Sequence, residues 1–216
     1  MMKISDAVRE ILESSEVALT AFSEGYLNLS AYAKSIRKEV GEKTKKPVTT
    51  GSIVVTLSRM RRKTHAKVRL VPKVEIEDIA VKSGLCEITF HKTPEHMRRI
   101  KFLLQDEDLR ASEFLTITQG VGEITVIALE TAQKKVIQFF KPHKPKAMIG
   151  DLVSISVRFS EIYIWVPNIT YALVRQFALA RLNIVEIIST YTELTFIVHQ
   201  KDLEPAFLIL QKMTKS

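Results

Sequence analysis

From residue 4 to residue 63 apolar side chains return at helical spacing. Ile4, Val8, Ile11, Leu12, Leu19 and Phe22 mark a first segment, and Leu29, Tyr32, Ala33, Ile36 and Val40 a second. Both spacings predict amphipathic helices with one buried stripe. Asn28 or Ser30 is placed to cap the second, and Lys45-Lys46-Pro47 to end it, because Pro47 has no amide donor and disfavours helix at the residue before it. A third segment, TTGSIVVTLSRMRRK, follows directly. Read as a helix, it turns Ile53, Leu57 and Met60 inward and aligns Thr49, Ser52, Thr56, Arg59 and Lys63 in one polar stripe. The β-branched run Ile53-Val54-Val55-Thr56 works against that helix.

After residue 72 the pattern changes to strands alternating with helices. LCEITFH (85–91) predicts a strand, and Thr93-Pro94-Glu95 starts a helix with Thr93 as N-cap and Pro94 in the first turn; Met97, Ile100, Leu103 and Leu104 supply its buried face. SEFLTITQ (112–119) and EITVIAL (123–129) form a hairpin around Gly120-Val121-Gly122. A helix over about 131–140 and a strand VSISVRF (153–159) complete a βαββαβ order, a ferredoxin-like unit.

The order then repeats. IYIWV (162–166) reads as a strand, NITYALVRQFALA as a helix, IVEIIST (184–190) and ELTFIVH (193–199) as a hairpin, and Asp202 as the cap of a last helix built on Leu203, Phe207 and Leu210. An offset of 73 residues superposes Pro94 on Pro167, Ile100 on Leu173 and Leu104 on Phe177. The second copy has no closing strand of its own, and VEIEDIAV (74–81) is available to fill that place. The fold class expected is α+β: a helical module over 1–72, then two ferredoxin-like βαββαβ units over 73–160 and 161–216.

Charge divides at the same boundary. Residues 1–70 carry 14 Lys and Arg against 7 acids, whereas residues 71–216 carry 18 against 17, so nearly all of the net +8 lies in the first third. A basic module draws polyanions through phosphate contacts and counterion release; a balanced one does not. In the third helix small hydroxyls come first and guanidinium or ammonium groups later, an order suited to a helix laid on double-stranded DNA. The candidate contacts are Lys45, Lys46, Thr49, Ser52, Thr56, Arg59, Arg61, Arg62 and Lys63. Three helices followed by the alternating basic stretch KVRLVPKVEI resemble in outline a winged-helix or helix-turn-helix module.

No apolar run approaches the roughly 20 residues of a membrane helix. Asp6, Glu10, Glu13, Glu16 and Glu24 are foreign to a signal peptide, so a cytoplasmic location is expected. The lone Cys86 sits in the apolar stretch LCEITF and reads as a buried, inert thiol. His65, His91, His96, His143 and His199 lack metal-ligand spacing and read as surface or interface histidines. No Gly-rich phosphate loop is present, and Gly120-Val121-Gly122 is explained by its hairpin.

The apolar run ending in V-P at Pro167, the helix directly after it, the strand L-N-I-V-E-I-I-S-T and the stretch S-T-Y-T-E-L-T-F-I-V before K-D-L-E-P-A resemble an ACT domain. Taken together, residues 80–216 resemble the tandem regulatory ACT domains of aspartate kinases. The resemblance implies side-by-side pairing into a homodimer and an amino-acid ligand at the strand-to-helix turn. Carried onto this chain, the ligand positions are Pro167, Asn168, Ile169 and Thr170, and in the first copy Thr93, Pro94, Glu95 and His96. Asn168 and Glu95 stand where the family usually has glycine, a residue that lets a ligand approach the backbone closely. For Asn168 itself the residue pattern leaves open a plain N-cap that binds nothing. The kinase domain that normally precedes such a tandem is missing from this sequence, so no enzymatic activity and no cofactor is expected. The function expected is a ligand-responsive DNA-binding regulator, or else a stand-alone regulatory or scaffolding subunit that docks on an amino-acid biosynthetic enzyme.

Overall fold

The computed structural model describes residues 2–63, apart from the Lys63 side chain, and residues 71–214. The chain divides into two compact units, Met1–Pro72 and Lys73–Ser216.

The first unit contains four helices among the described residues: α1 (Ile4–Glu13), α2 (Glu16–Ser23), α3 (Leu29–Thr44) and α4 (Thr50–Lys63). The segment expected as one helix up to Phe22 breaks at Ser14-Ser15. Ser15 is extended there, and its hydroxyl accepts from the Ala18 amide at 3.3 Å, so a cap competes with helix continuation and wins. Asn28 caps α3 by accepting from the Ser30 and Ala31 amides. The β-branched run stays helical because Ile53 and Leu57 are fully buried against Val8, Leu12, Ile36 and Val40; packing outweighs the few tenths of a kcal/mol per residue of propensity. The expected wing is not confirmed. Of KVRLVPKVEI, residues 67–70 lie outside the described residues, 71–75 form no strand, and Ile76 begins a strand of the second unit.

In the second unit two long strands, β1 (Ile76–His91) and β4 (Ala147–Phe159), lie side by side and antiparallel, with Ile76 opposite Phe159 at one end and Thr89 opposite Ala147 at the other. Between them the chain forms α5 (Pro94–Gln105), α6 (Glu107–Arg110), β2 (Leu115–Gln119), β3 (Glu123–Leu129) and α7 (Gln133–Phe139). After β4 come α8 (Ile169–Leu179), β5 (Glu186–Ser189), β6 (Glu193–His199) and α9 (Leu203–Gln211). The sheet order is β2-β3-β1-β4-β6-β5, antiparallel throughout.

Each long strand serves both repeats. The second half of β1 pairs with β3 over 85–91 and opens the first repeat, while the second half of β4 pairs with β6 over 152–158 and opens the second. The first half of β4 closes the first repeat, and Ile76–Val81 lies against β4 in the matching place of the second. From the hairpins onward the copies run 70 residues apart: β3 at 123 and β6 at 193, with 3-10 turns at 130–132 and 200–202 leading into α7 and α9. The Pro94–Pro167 offset of 73 belongs only to the helix starts.

Both long strands bend near the middle. The ladder shifts register between Lys82 and Leu85 and again before Glu87, and Gly84 and Asp151 take positive φ at 72° and 55°. Leu85 faces Leu152 at this bend, and both pack with Ile127 and Ile197 in one fully buried cluster. Alternate residues face the other way. Cys86, Ile88 and Phe90 pack with Ile124, Val126, Ile100, Leu103, Val136 and Phe140, and the Phe90 and Phe140 rings stack at 4.0 Å. In the second repeat Phe177 of α8 lies on Phe196 of β6 at 4.5 Å. Burial first, and the Glu130 charge second, push the Cys86 thiol up to about 11, in keeping with an inert side chain.

Two expectations fail here. IYIWV is a 3-10 helix (Glu161–Trp165), not a strand. Ladder pairing on both flanks of β4 ends at Phe159 and Arg158, so the residues beyond have no strand to join. Asp202 makes no side-chain cap to α9, which is entered instead through the 3-10 turn Gln200–Asp202. Among the described residues, no helix is long and apolar enough to cross a membrane.

Candidate ligand cleft

The two repeats differ most at their first strand-to-helix connection. Between β1 and α5 there are two residues, 92 and 93; between β4 and α8 there are nine, 160–168.

In the first repeat the short connection is tied to its surroundings. The Lys92 amide donates to the Gly122 carbonyl at 2.8 Å, and its ammonium donates to Gly120 at 2.9 Å, drawing the β2–β3 turn against the strand end. Thr93 caps α5, accepting from the His96 amide at 3.1 Å, and Pro94 takes the first helical position. Glu95 accepts from Arg99 at 2.5 Å and from His143 at 3.0 Å, which hold its carboxyl below the usual carboxylate range. His96, expected at the surface or an interface, is buried. Its Nδ1 donates to the His91 carbonyl at 2.5 Å, and its ring meets Phe90 and Phe140 edge-on. The capped turn rotates it onto the core. Of the residues carried over for this copy, Thr93, Glu95 and His96 are thus engaged in the protein's own fold.

In the second repeat the longer connection opens a space. The 3-10 helix Glu161–Trp165 occupies this connection, and the Tyr163 hydroxyl accepts from the Glu75 amide at 3.2 Å. This anchors a ring that meets Phe159 edge-on at 6.4 Å. Asn168 then takes a left-handed conformation, φ 69° and ψ 17°, and its side chain makes no cap hydrogen bond. Its role is conformational: among non-glycine residues asparagine is one of the few that tolerate this region. The N-cap expected of its side chain is not made.

Beyond Asn168, Ile169 turns inward and Thr170 and Tyr171 lie exposed at the start of α8. The helix dipole at this N-terminus favours an anionic or carbonyl group there. Across from them stands the β5–β6 turn, Ser189, Thr190 and Tyr191, closed by the Thr190 amide on the Glu193 carbonyl at 3.0 Å. Between the two lies a cleft of about 630 Å3 that Asn168, Ile169 and Thr170 line; Pro167 is exposed and does not line it. Tyr163, Tyr171 and Tyr191, three of the five tyrosines in the chain, also line it, together with Phe159. Sequence reasoning missed these rings. Their crowding between residues 159 and 191 was the available signal.

The candidate DNA contacts lie in the first unit. Lys45, Lys46, Thr49, Arg59, Arg61 and Arg62 are exposed, and the Lys63 side chain lies outside the described residues. Ser52 and Thr56 turn their hydroxyls onto the helix backbone, donating at 2.8 Å to the Thr49 and Ser52 carbonyls, and Thr49 accepts from the Ser52 amide at 3.2 Å. Among the described residues no group of His, Cys, Asp or Glu is arranged to hold a metal ion.

The sheet order and the shared strands make the second unit a pair of interlocked repeats with an ACT-like fold. Solved structures agree. The second unit's architecture is found in the aspartate kinase of Clostridium acetobutylicum (TM-score 0.54, 13% identity, covering 69% of this chain and 37% of that one). It is also found in the ligand-free regulatory subunit of aspartate kinase from Thermus thermophilus (0.53, 11%, 67% of this chain and 100% of that one) and its counterpart from Thermus flavus (0.53, 10%, 64% and 98%). The match thus spans little more than a third of the clostridial enzyme but all of the Thermus thermophilus regulatory subunit, and at these identities the likeness is one of fold. No protein-family model and no curated protein sequence matches the chain.

The left-handed backbone at residue 168 yields a direct expectation. Asn168→Gly should leave stability within about 0.5 kcal/mol, whereas Asn168→Val should cost about 1–2 kcal/mol, both read by urea denaturation. Equal effects of the two substitutions would show that the conformation is not what residue 168 provides.

Proposed function

We propose that the protein is a non-catalytic, ligand-responsive regulator whose sensor is the cleft between the start of α8 and the β5–β6 turn. The observation that carries this reading is the cleft itself, which lies at the nine-residue connection of the second repeat, whereas the first repeat's connection is two residues long and tied by Lys92 to the β2–β3 turn. Asn168, Ile169 and Thr170 line the ligand end, with Pro167 behind them, and a free amino acid presents the carboxylate that suits the first-turn amides. The regulatory subunits among the structural neighbours support the non-catalytic part, and the ACT resemblance supports a homodimer. A thermal-shift screen of the twenty amino acids on the full chain tests the reading. A binder at 100 times its dissociation constant adds about 2.7 kcal/mol of stability and raises Tm accordingly; a Tm unmoved by all twenty removes amino-acid sensing.

A second reading concerns residues 1–70 and rests on the segregation of charge, 14 basic against 7 acidic side chains. In it Lys45, Lys46, Arg59, Arg61 and Arg62 contact the phosphates of duplex DNA, and ligand state tunes that contact. Fluorescence anisotropy against salt is the measurement. Affinity should fall steeply from low to moderate salt, and the double variant Arg59→Ala/Arg62→Ala should lower the salt slope by about two. Absence of binding at low salt leaves the alternative, a regulatory subunit that docks on an enzyme.

A further inference from the structure

The chemistry of the cleft wall narrows the ligand, and this step rests on the sensing role just proposed. No Lys, Arg, His, Asp or Glu is among the described residues that line the cleft. Rings stand on its sides instead: Phe159 and Tyr163 from the strand end and the 3-10 helix, Tyr171 from α8, and Tyr191 from the turn opposite. The polar groups that remain, on Asn168, Thr170, Ser189 and Thr190, are neutral.

We infer that the cleft takes an amino acid whose side chain is an uncharged aromatic ring, and discriminates against amino acids with charged side chains. A cationic or anionic side chain laid in this cleft finds no opposite charge among its described lining residues, only neutral hydroxyl and amide groups. A planar ring meets what is there. Aromatic faces and edges attract one another at centroid separations of roughly 4.5–7 Å, and the Tyr163 ring, pinned through its hydroxyl to the Glu75 backbone and set edge-on to Phe159, is already held for such contact. The ligand's carboxylate lies at the first turn of α8, and its ring points toward the tyrosines. A volume of about 630 Å3 lies within the common range for small-molecule sites, roughly 300–1,000 Å3, leaving room for a bicyclic ring. The corresponding turn of the first repeat differs in chemistry: Lys92 there is bonded to Gly120, and Glu95 at the start of α5 is bonded to Arg99 and His143.

The test is isothermal titration of the full chain with L-phenylalanine, L-tyrosine and L-tryptophan, set against L-lysine and L-aspartate. At least one ring-bearing amino acid should bind tighter than either charged one by at least about tenfold. Tyr191→Ala, at a position 67% exposed and so tolerant of truncation, should weaken that binding by about tenfold. Ser189→Glu, which brings a charge to the turn without removing a ring, should weaken it too. A charged amino acid that binds best and is lost in both variants would overturn the ligand class and leave the cleft as the sensor. Ring binding indifferent to both variants would overturn the assignment of the ring to this cleft. If no amino acid binds, the sensing reading falls and this inference falls with it.

Discussion

Everything in residues 73–216 depends on the ladder between β1 and β4. Each of these strands is long enough to belong to two repeats at once, 16 and 13 residues, and each is spent in halves: one half opens its own repeat, the other completes the neighbour's. A βαββαβ unit ending at its second helix would leave one flank of its first strand without backbone partners. The first half of β1 lies along that flank of β4, so the ladder satisfies both repeats together. The bend at Gly84 and Asp151 lets one pair of strands do this. It also brings Leu85, Ile127, Leu152 and Ile197 from both repeats into a single cluster, so the two halves share buried surface as well as hydrogen bonds.

Given that frame, the functional difference between the repeats comes from one length. Two residues carry the first repeat from strand to helix, and the turn is cross-bonded by Lys92, Glu95, Arg99 and His143. Nine residues carry the second, and the added 3-10 turn places Tyr163 against the sheet end, bonded to the Glu75 backbone and edge-on to Phe159. The cost falls on the backbone at residue 168, which must turn left-handed to start α8 after the detour, and asparagine accepts that conformation.

Much of the fold was legible because periodicity reports burial. The helices bury the stripes on Ile36 and Val40 and on Ile100 and Leu103 as their spacing predicts, whereas Leu104, expected on the same buried face, is 50% exposed. IYIWV misled because five apolar residues in a row fit a strand, yet the chain forms a 3-10 turn there in which no residue is buried and Ile162 and Trp165 are exposed; only the end of the ladder at Phe159 decides against the strand, and that is a tertiary fact. His96 and Asp202 misled for a related reason. Residue type indicates a surface or interface histidine and an N-cap, but the capped turn at Thr93 buries one and the 3-10 turn at 200–202 displaces the other. At the site, Asn168, Ile169 and Thr170 were found by position along the chain. The rings were not, because Phe159, Tyr163, Tyr171 and Tyr191 come from four elements that only the folded sheet brings together.

The shared ladder makes the second unit one cooperative structure rather than two domains in series. Native-state hydrogen exchange of the full chain, followed across increasing denaturant, measures this directly. The account predicts that the slowest amides of β3 (123–129) and of β6 (193–199) report the same opening free energy and the same denaturant dependence. If one hairpin opened well below the other while its partner stayed protected, the repeats would be independent and the account of the fold would be wrong.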